Sequence, residues 1–181
     1  MTQIKAFGPD AEVLGGAIHG FIMAVNKENI WPHLEKLDMT DIDPNAWYPK
    51  QKYIDLWNSI AEDNESAMFD FVSIGMTIAQ NAWPKEMDEL EPEDVLAGWG
   101  DTFDAVNRGE DRGYVRAEKV EDKHWMVRCY TPDPDDLNYG VAYGFSKRFL
   151  PQGTRFTVFY DEDVPRRDEG GEETIIHIQW E

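Results

Sequence analysis

Apolar positions recur at helical spacing through the first half of the chain, and in the second half the period changes to two. Tyr53, Leu56, Trp57 and Ile60 fall at i, i+3, i+4 and i+7, one face of a helix opening near Pro49. The strongest helical run is "NESAMFDFVSIGMTIAQNAW". Phe69, Val72, Met76, Ala79 and Trp83 form one stripe, and Phe71, Ile74 and Ile78 a second, so this helix is expected to be buried on more than one side. Upstream, "DAEVLGGAIHGFIMAVNKEN" predicts a helix capped by Asp10. Its Gly15, Gly16, Ala17 and Gly20 would let a neighbouring element approach closely. "IWPHLEKL" predicts a short helix opened by Pro32. Pro92 reads as a first-turn proline, with Glu93 and Asp94 at the positive end of the dipole. Val95, Trp99, Phe103 and Val106 continue that helix as a stripe, and Gly109 stops it.

The alternating segments follow. "GYVRAEKVEDKHWMVRCYTP" predicts two strands around a tight turn at Glu121–Asp122, with Trp125, Val127 and Cys129 opposite His124, Met126 and Arg128. "TRFTVFYD" predicts a third strand and "ETIIHIQW" a fourth, joined by a charged loop. A helix lies between the pairs. The order is helices, then strand–strand–helix–strand–strand. That order predicts an α+β fold, an N-terminal helical layer on a four-stranded antiparallel sheet. One domain is expected over 1–181, with a helical part at 1–109 and a sheet part at 110–181.

The helix between the strand pairs opens well. Asp133 is placed to cap it, Pro134 to take its first position, and Asp135 and Asp136 to meet the dipole. Yet Gly140 and Gly144 sit one turn apart inside it, each costing about 1 kcal/mol against alanine. Leu137, Gly140, Val141, Gly144, Phe145 and Arg148 share a face. Two glycines there make a flat groove for a sheet or helix backbone, or for a ligand.

The 181 residues carry 41% hydrophobic and 29% charged residues, a globular composition, and aromatics reach 13% with seven tryptophans, which suits a thick core or an aromatic-lined cavity. A net charge of −19 repels phosphate backbones and anionic lipid, so nucleic acid is not an expected partner. Such charge serves solubility, or presents an acidic face to a basic partner. The single cysteine, Cys129, forbids an internal disulfide and suits a reducing compartment. The N-terminus lacks a signal-peptide pattern, and no apolar run has the length of a membrane span. A cytoplasmic location without membrane insertion is expected.

Candidate chemistry is sparse. His19, His33, His124 and His177 show no pairing at metal-ligand spacing, so no metal site is expected. His177 should face away from Ile176 and Ile178. Cys129 alternates with Trp125 and Val127 and reads as an inert buried thiol. "PDPDDL" fails the calcium-loop pattern, because Leu137 takes its fifth position. Arg166 and Arg167 could grip an anion, or neutralise Asp161, Glu162, Asp163 and Glu169.

"VRCYTPDPDDLNYGVAYGFSKRFL…FTVFYDEDVPRRDEGGEETIIHIQW" resembles the C-terminal half of the 4-vinyl reductase type ligand-binding domains. "IHGFIMAV" and "WYPKQKYIDLWNSI" resemble the heme nitric oxide/oxygen-binding proteins and their heme-less relatives, which share a fold with TRAPP vesicle-trafficking subunits. The resemblance implies a buried pocket between helices and sheet for an apolar molecule or a tetrapyrrole. It also implies a tyrosine–serine–arginine propionate motif, whose nearest match is Tyr143, Ser146 and Arg148 with the first gap one residue too long. The family's proximal histidine falls near "EDVLAGWGDTFDAVNRG", which has none, so heme in the family's mode is not expected and the cofactor is unknown.

The sequence thus predicts a non-enzymatic sensor or carrier with an apolar pocket, lined by Trp57, Met76, Trp99, Phe103, Tyr139 and Tyr143 from stripes that should face the sheet. The alternatives are a protein-interaction or dimerising subunit, with the acidic stretch Glu86–Asp94 as a contact surface, and a tetrapyrrole accessory protein. A homodimer or protein partner is expected alongside the small molecule.

Overall fold

A computed structural model of the chain describes residues 4–62, 71–81 and 83–181. Phe69, assigned to the long helical stripe, lies outside them. The chain is α+β and divides into two compact units, Met1–Asp70 with Ala105–Gly113, and Phe71–Asp104 with Tyr114–Glu181.

The first unit contains β1 (Glu12–Leu14), α1 (Gly15–Ala24), α2 (Lys27–Lys36), β2 (Trp47–Pro49) and α3 (Lys50–Glu62). It also holds β3 (Asn107–Arg108), which follows the helices of the second unit. β1 is the middle strand, antiparallel to both neighbours, with Val13 opposite Tyr48 and Asn107. The all-helical first half therefore needs correction. Strands of two and three residues are too short to show a period of two in sequence. Asp10 does not cap α1, because β1 intervenes; its Oδ2 accepts from the Glu110 N–H at 2.8 Å. Gly15 and Gly16 do admit a neighbour, donating to the Ala46 and Pro44 carbonyls at 2.8 and 2.9 Å. Pro32 lies inside α2, which starts earlier because Asn26 Oδ1 accepts the Glu28 N–H. The α3 stripe is buried as its spacing requires, Tyr53, Leu56, Trp57 and Ile60 among the core residues.

The second unit contains α4 (Phe71–Asn81), α5 (Pro92–Ala97), most of α6 (Trp99–Val106), β4 (Tyr114–Glu121), β5 (His124–Tyr130), α7 (Asp135–Phe149), β6 (Phe156–Tyr160) and β7 (Thr174–Trp180). The strands form one antiparallel sheet in the order β4–β5–β7–β6. Trp125 opposes Ile178, Val127 opposes Ile176, and Val158 opposes Ile178, so the alternating apolar residues build one continuous inner face. The hairpin turn sits one residue later than its sequence suggests. An irregularity between Lys119 and Glu121 absorbs a residue, and Lys123 takes the left-handed conformation at φ 58°.

α7 lies on β6 and β7, and α4 runs beside α7. Gly140 and Gly144 face α4, not a ligand. A Cβ on Gly140 would stand 2.2 Å from the Val72 carbonyl oxygen, and one on Gly144 2.6 Å from Ala79 Cβ. The groove is reciprocal, since a Cβ on Gly75 would stand 2.3 Å from the Leu137 oxygen. Contacts advance together along both helices, from Val72–Gly140 to Ala79–Gly144, so the two run parallel.

Candidate ligand site

The apolar stripes of α4 to α7 and the inner face of the sheet converge on an aromatic cluster. Trp83, just after α4, stands edge-on to Trp99 at 5.4 Å between ring centroids and to Phe149 at 5.7 Å. Trp99 meets Phe145 at 5.6 Å, and Phe103, Trp125, Val127 and Ile178 join the same buried cluster. The indole Nε1 atoms of Trp83 and Trp125 are buried here without a hydrogen-bond acceptor among the described residues. An unmet buried donor costs about 1–3 kcal/mol.

The sequence-derived lining residues divide among four places. Trp99 and Phe103 lie in the aromatic cluster. Tyr139 and Tyr143 pack at its margin, against β6: Tyr139 meets Tyr160 at 5.0 Å with the rings tilted and donates to the Val158 carbonyl at 2.9 Å, while Tyr143 meets Phe156 at 5.2 Å. Met76 serves the α4–α7 contact, its carbonyl lying 2.8 Å from where a Gly144 Cβ would be. Trp57 belongs to the first unit. It packs on Tyr53 and Phe21 beneath the Lys50 ammonium, and its Nε1 likewise has no acceptor among the described residues. Trp83 and Trp125 were legible only as core residues. The signal for them is chemical: a buried tryptophan needs a partner for its N–H.

Cys129 is fully buried, and burial, with Asp133, Asp135 and Glu173 behind it, pushes its thiol far up, the inert thiol its alternation predicts. Both arginines of the charged loop are engaged by the chain itself. Arg166 donates to Glu169 Oε1 at 2.7 Å and lies over Tyr160, while Arg167 donates to the Thr131 carbonyl.

The start of α7 departs from the expected cap. The helix begins at Asp135, and the capping position falls on Pro134, which supplies no side-chain acceptor. A reciprocal pair takes over: Asp168 Oδ2 accepts the Asp135 N–H at 3.2 Å, and Asp135 Oδ2 accepts the Asp168 N–H at 2.9 Å. Thr174 donates to the other Asp135 oxygen. Burial of its carboxyl end, then the Asp135 charge, raises the Asp168 carboxyl above its ordinary 3.8. The folded chain then binds that proton more tightly than the unfolded chain. The contribution is present below pH 3.8 and is lost as pH rises through the raised value. Asp168→Asn keeps an acceptor and removes the charge. It should raise the urea midpoint at neutral pH slightly and flatten the decline above pH 3.8; the gain is small because Asp168 as a residue is exposed and water screens it. An unchanged midpoint and profile would refute this account of the pair.

No family model matches the sequence, and no curated protein matches it. Solved structures do match in fold. An H-NOX protein from S. oneidensis in the Fe(II)NO ligation state superposes with a TM-score of 0.69 at 10% identity, covering 93% of this chain and 99% of that one. An oxygen-binding H-NOX domain related to soluble guanylate cyclases, as its oxygen complex, gives 0.69 at 13% identity over 92% of each chain. A point mutant of T. tengcongensis H-NOX gives 0.64 at 14% identity over 92% of this chain and 94% of that one. The chain has an H-NOX-like fold.

Its residues do not fit heme. α5 and α6 carry no histidine. His19 Nε2 binds the Ile42 carbonyl at 2.6 Å, His33 pairs with Ser59 at 2.8 Å, and His124 and His177 lie 2.9 Å apart on strands of the four-stranded sheet, away from α5 and α6. The near-match to the propionate motif is already occupied. Ser146 donates to the Ala142 carbonyl, and Arg148 donates to Asp88 and to the carbonyls of Ala79, Gln80 and Pro84. Arg148 thus extends the line of Gly140 and Gly144 by one turn and closes the C-terminal end of α4.

Proposed function

We propose that this is a non-enzymatic, cytoplasmic sensor or carrier domain that binds a mostly apolar small molecule between the helices and sheet of its second unit. The observation that carries this reading is the pair of unmet indole N–H groups, Trp83 and Trp125, in an apolar cluster. Apolar burial would supply the affinity, and the two donors would orient a carbonyl or carboxyl oxygen. Trp99 and Phe103 would line the molecule, with Tyr139, Tyr143 and Met76 supporting the walls. The H-NOX-like fold supports the class of role, since the superposed structures include complexes with NO and with oxygen.

A homodimer or protein partner is the companion proposal. It is supported by Leu90, 48% exposed within the acidic stretch from Glu86 to Asp94. Native mass spectrometry of the protein from its own host tests both. The expected result is a chain carrying one small molecule, lost in Trp83→Phe and Trp125→Phe, and a dimer disrupted by Leu90→Asp. A ligand-free monomer would overturn both proposals.

A further inference from the structure

On the sheet face turned away from the aromatic cluster, two histidines separated by 53 positions meet. His124 Nε2 and His177 Nδ1 are 2.9 Å apart. The outer nitrogen of each ring looks at a carboxylate: His177 Nε2 lies 3.1 Å from Asp161 Oδ2, and His124 Nδ1 lies 3.5 Å from Glu121 Oε1. The His177 ring lies flat on Phe159, 4.9 Å away at 12°. Asp161 also accepts the Asp163 N–H. The cation along the strand, Arg128, is paired with Glu173 and Glu118.

Glu121, His124, His177 and Asp161 form a chain of four groups with three gaps. Each gap needs one positive centre, and two neutral imidazoles bring only two N–H groups. Whichever tautomers are chosen, two lone pairs face each other in at least one gap. When both carboxylates take an N–H, that gap is the middle one, between the ring nitrogens. Carboxylates on the outer nitrogens are how metal-ligating histidines are held.

The ring spacing suits an ion. The centroids are 5.1 Å apart. Two imidazoles on one tetrahedral ion at about 2.0–2.1 Å place their nitrogens about 3.3 Å apart and their centroids about 5.2 Å apart. The two nitrogens must part from 2.9 Å to about 3.3 Å, and both rings must swing until their lone pairs converge on one point.

We propose that His124 Nε2 and His177 Nδ1 form a two-histidine site for a divalent transition-metal ion, with Asp161 and Glu121 orienting the rings. Imidazole ligands suit zinc and copper(II). No cluster of three or more ligating side chains occurs among the described residues, so solvent fills the remaining positions and the site is open to exchange.

Calorimetric titration of the full chain with zinc(II), and with copper(II) followed by electron paramagnetic resonance, tests this. One ion per chain is expected, with two nitrogen couplings in the copper spectrum. His124→Gln and His177→Gln should each weaken binding at least tenfold. Asp161→Asn should weaken it about 10- to 100-fold while keeping both couplings. Circular dichroism confirms that each variant folds; if His177→Gln does not, His124→Gln and Asp161→Asn decide. Absence of binding, binding by an adventitious ion only that neither histidine variant moves, or a pair that takes up a third proton and no metal would overturn the proposal.

Discussion

Gly140→Ala should destabilise the protein by about 3 kcal/mol, the upper end of overpacking costs. The new Cβ would stand 2.2 Å from the Val72 carbonyl oxygen, which is backbone and cannot turn aside as a side chain would. The two helices must separate, and the contacts around Gly75 and Gly144 go with them. Local helix propensity argues the other way, favouring alanine by about 1 kcal/mol. The sign therefore decides between the accounts. Gly20→Ala in α1 is the control, because a Cβ there meets nothing within 4 Å among the described residues; it should stabilise by up to about 1 kcal/mol. Urea melts of both variants give the answer. A neutral or stabilising Gly140→Ala would mean that α4 and α7 do not pack as described.

Arg148→Ala should cost about 2–3 kcal/mol, in the range of charge-assisted hydrogen bonds lost from a mostly covered site. The Arg148 side chain is only 8% exposed and donates to three carbonyls at the end of α4 as well as to Asp88. Truncation leaves those carbonyls unmet, whereas Asp88, half exposed, returns to water. Arg148→Lys should recover less than half of the loss, because an ammonium cannot spread over so many acceptors. The same urea melts measure it, and Lys equal to Arg would show that charge alone matters at this position.

Much of the fold was legible because its signals are local. Trp125, Val127 and Cys129 alternate on the chain and on the sheet alike. The bare line Gly140–Gly144 announced a close neighbour, and the neighbour is a helix. What fills that line was not legible. Gly75 sits in an ordinary helical run, and no periodicity says that one helix lies on another. β1 to β3 were missed because a strand of two or three residues has no period to detect. His177 was placed on the outer face by parity, but its meeting with His124 depends on the lateral register of β5 against β7. The cap of α7 was missed for the same reason, since Asp168 arrives from a distant loop. Trp57 and Trp99 both lie on apolar helical faces, yet they belong to different compact units, a division that face-by-face reading does not contain.

Absorption of the host-purified protein, with heme supplied during growth, tests the central claim most directly. An H-NOX-like fold with no histidine in α5 or α6, and with Arg148 already engaged, should show no Soret band, while the same sample carries an apolar molecule into the mass spectrometer. A Soret band with one heme per chain would contradict the account.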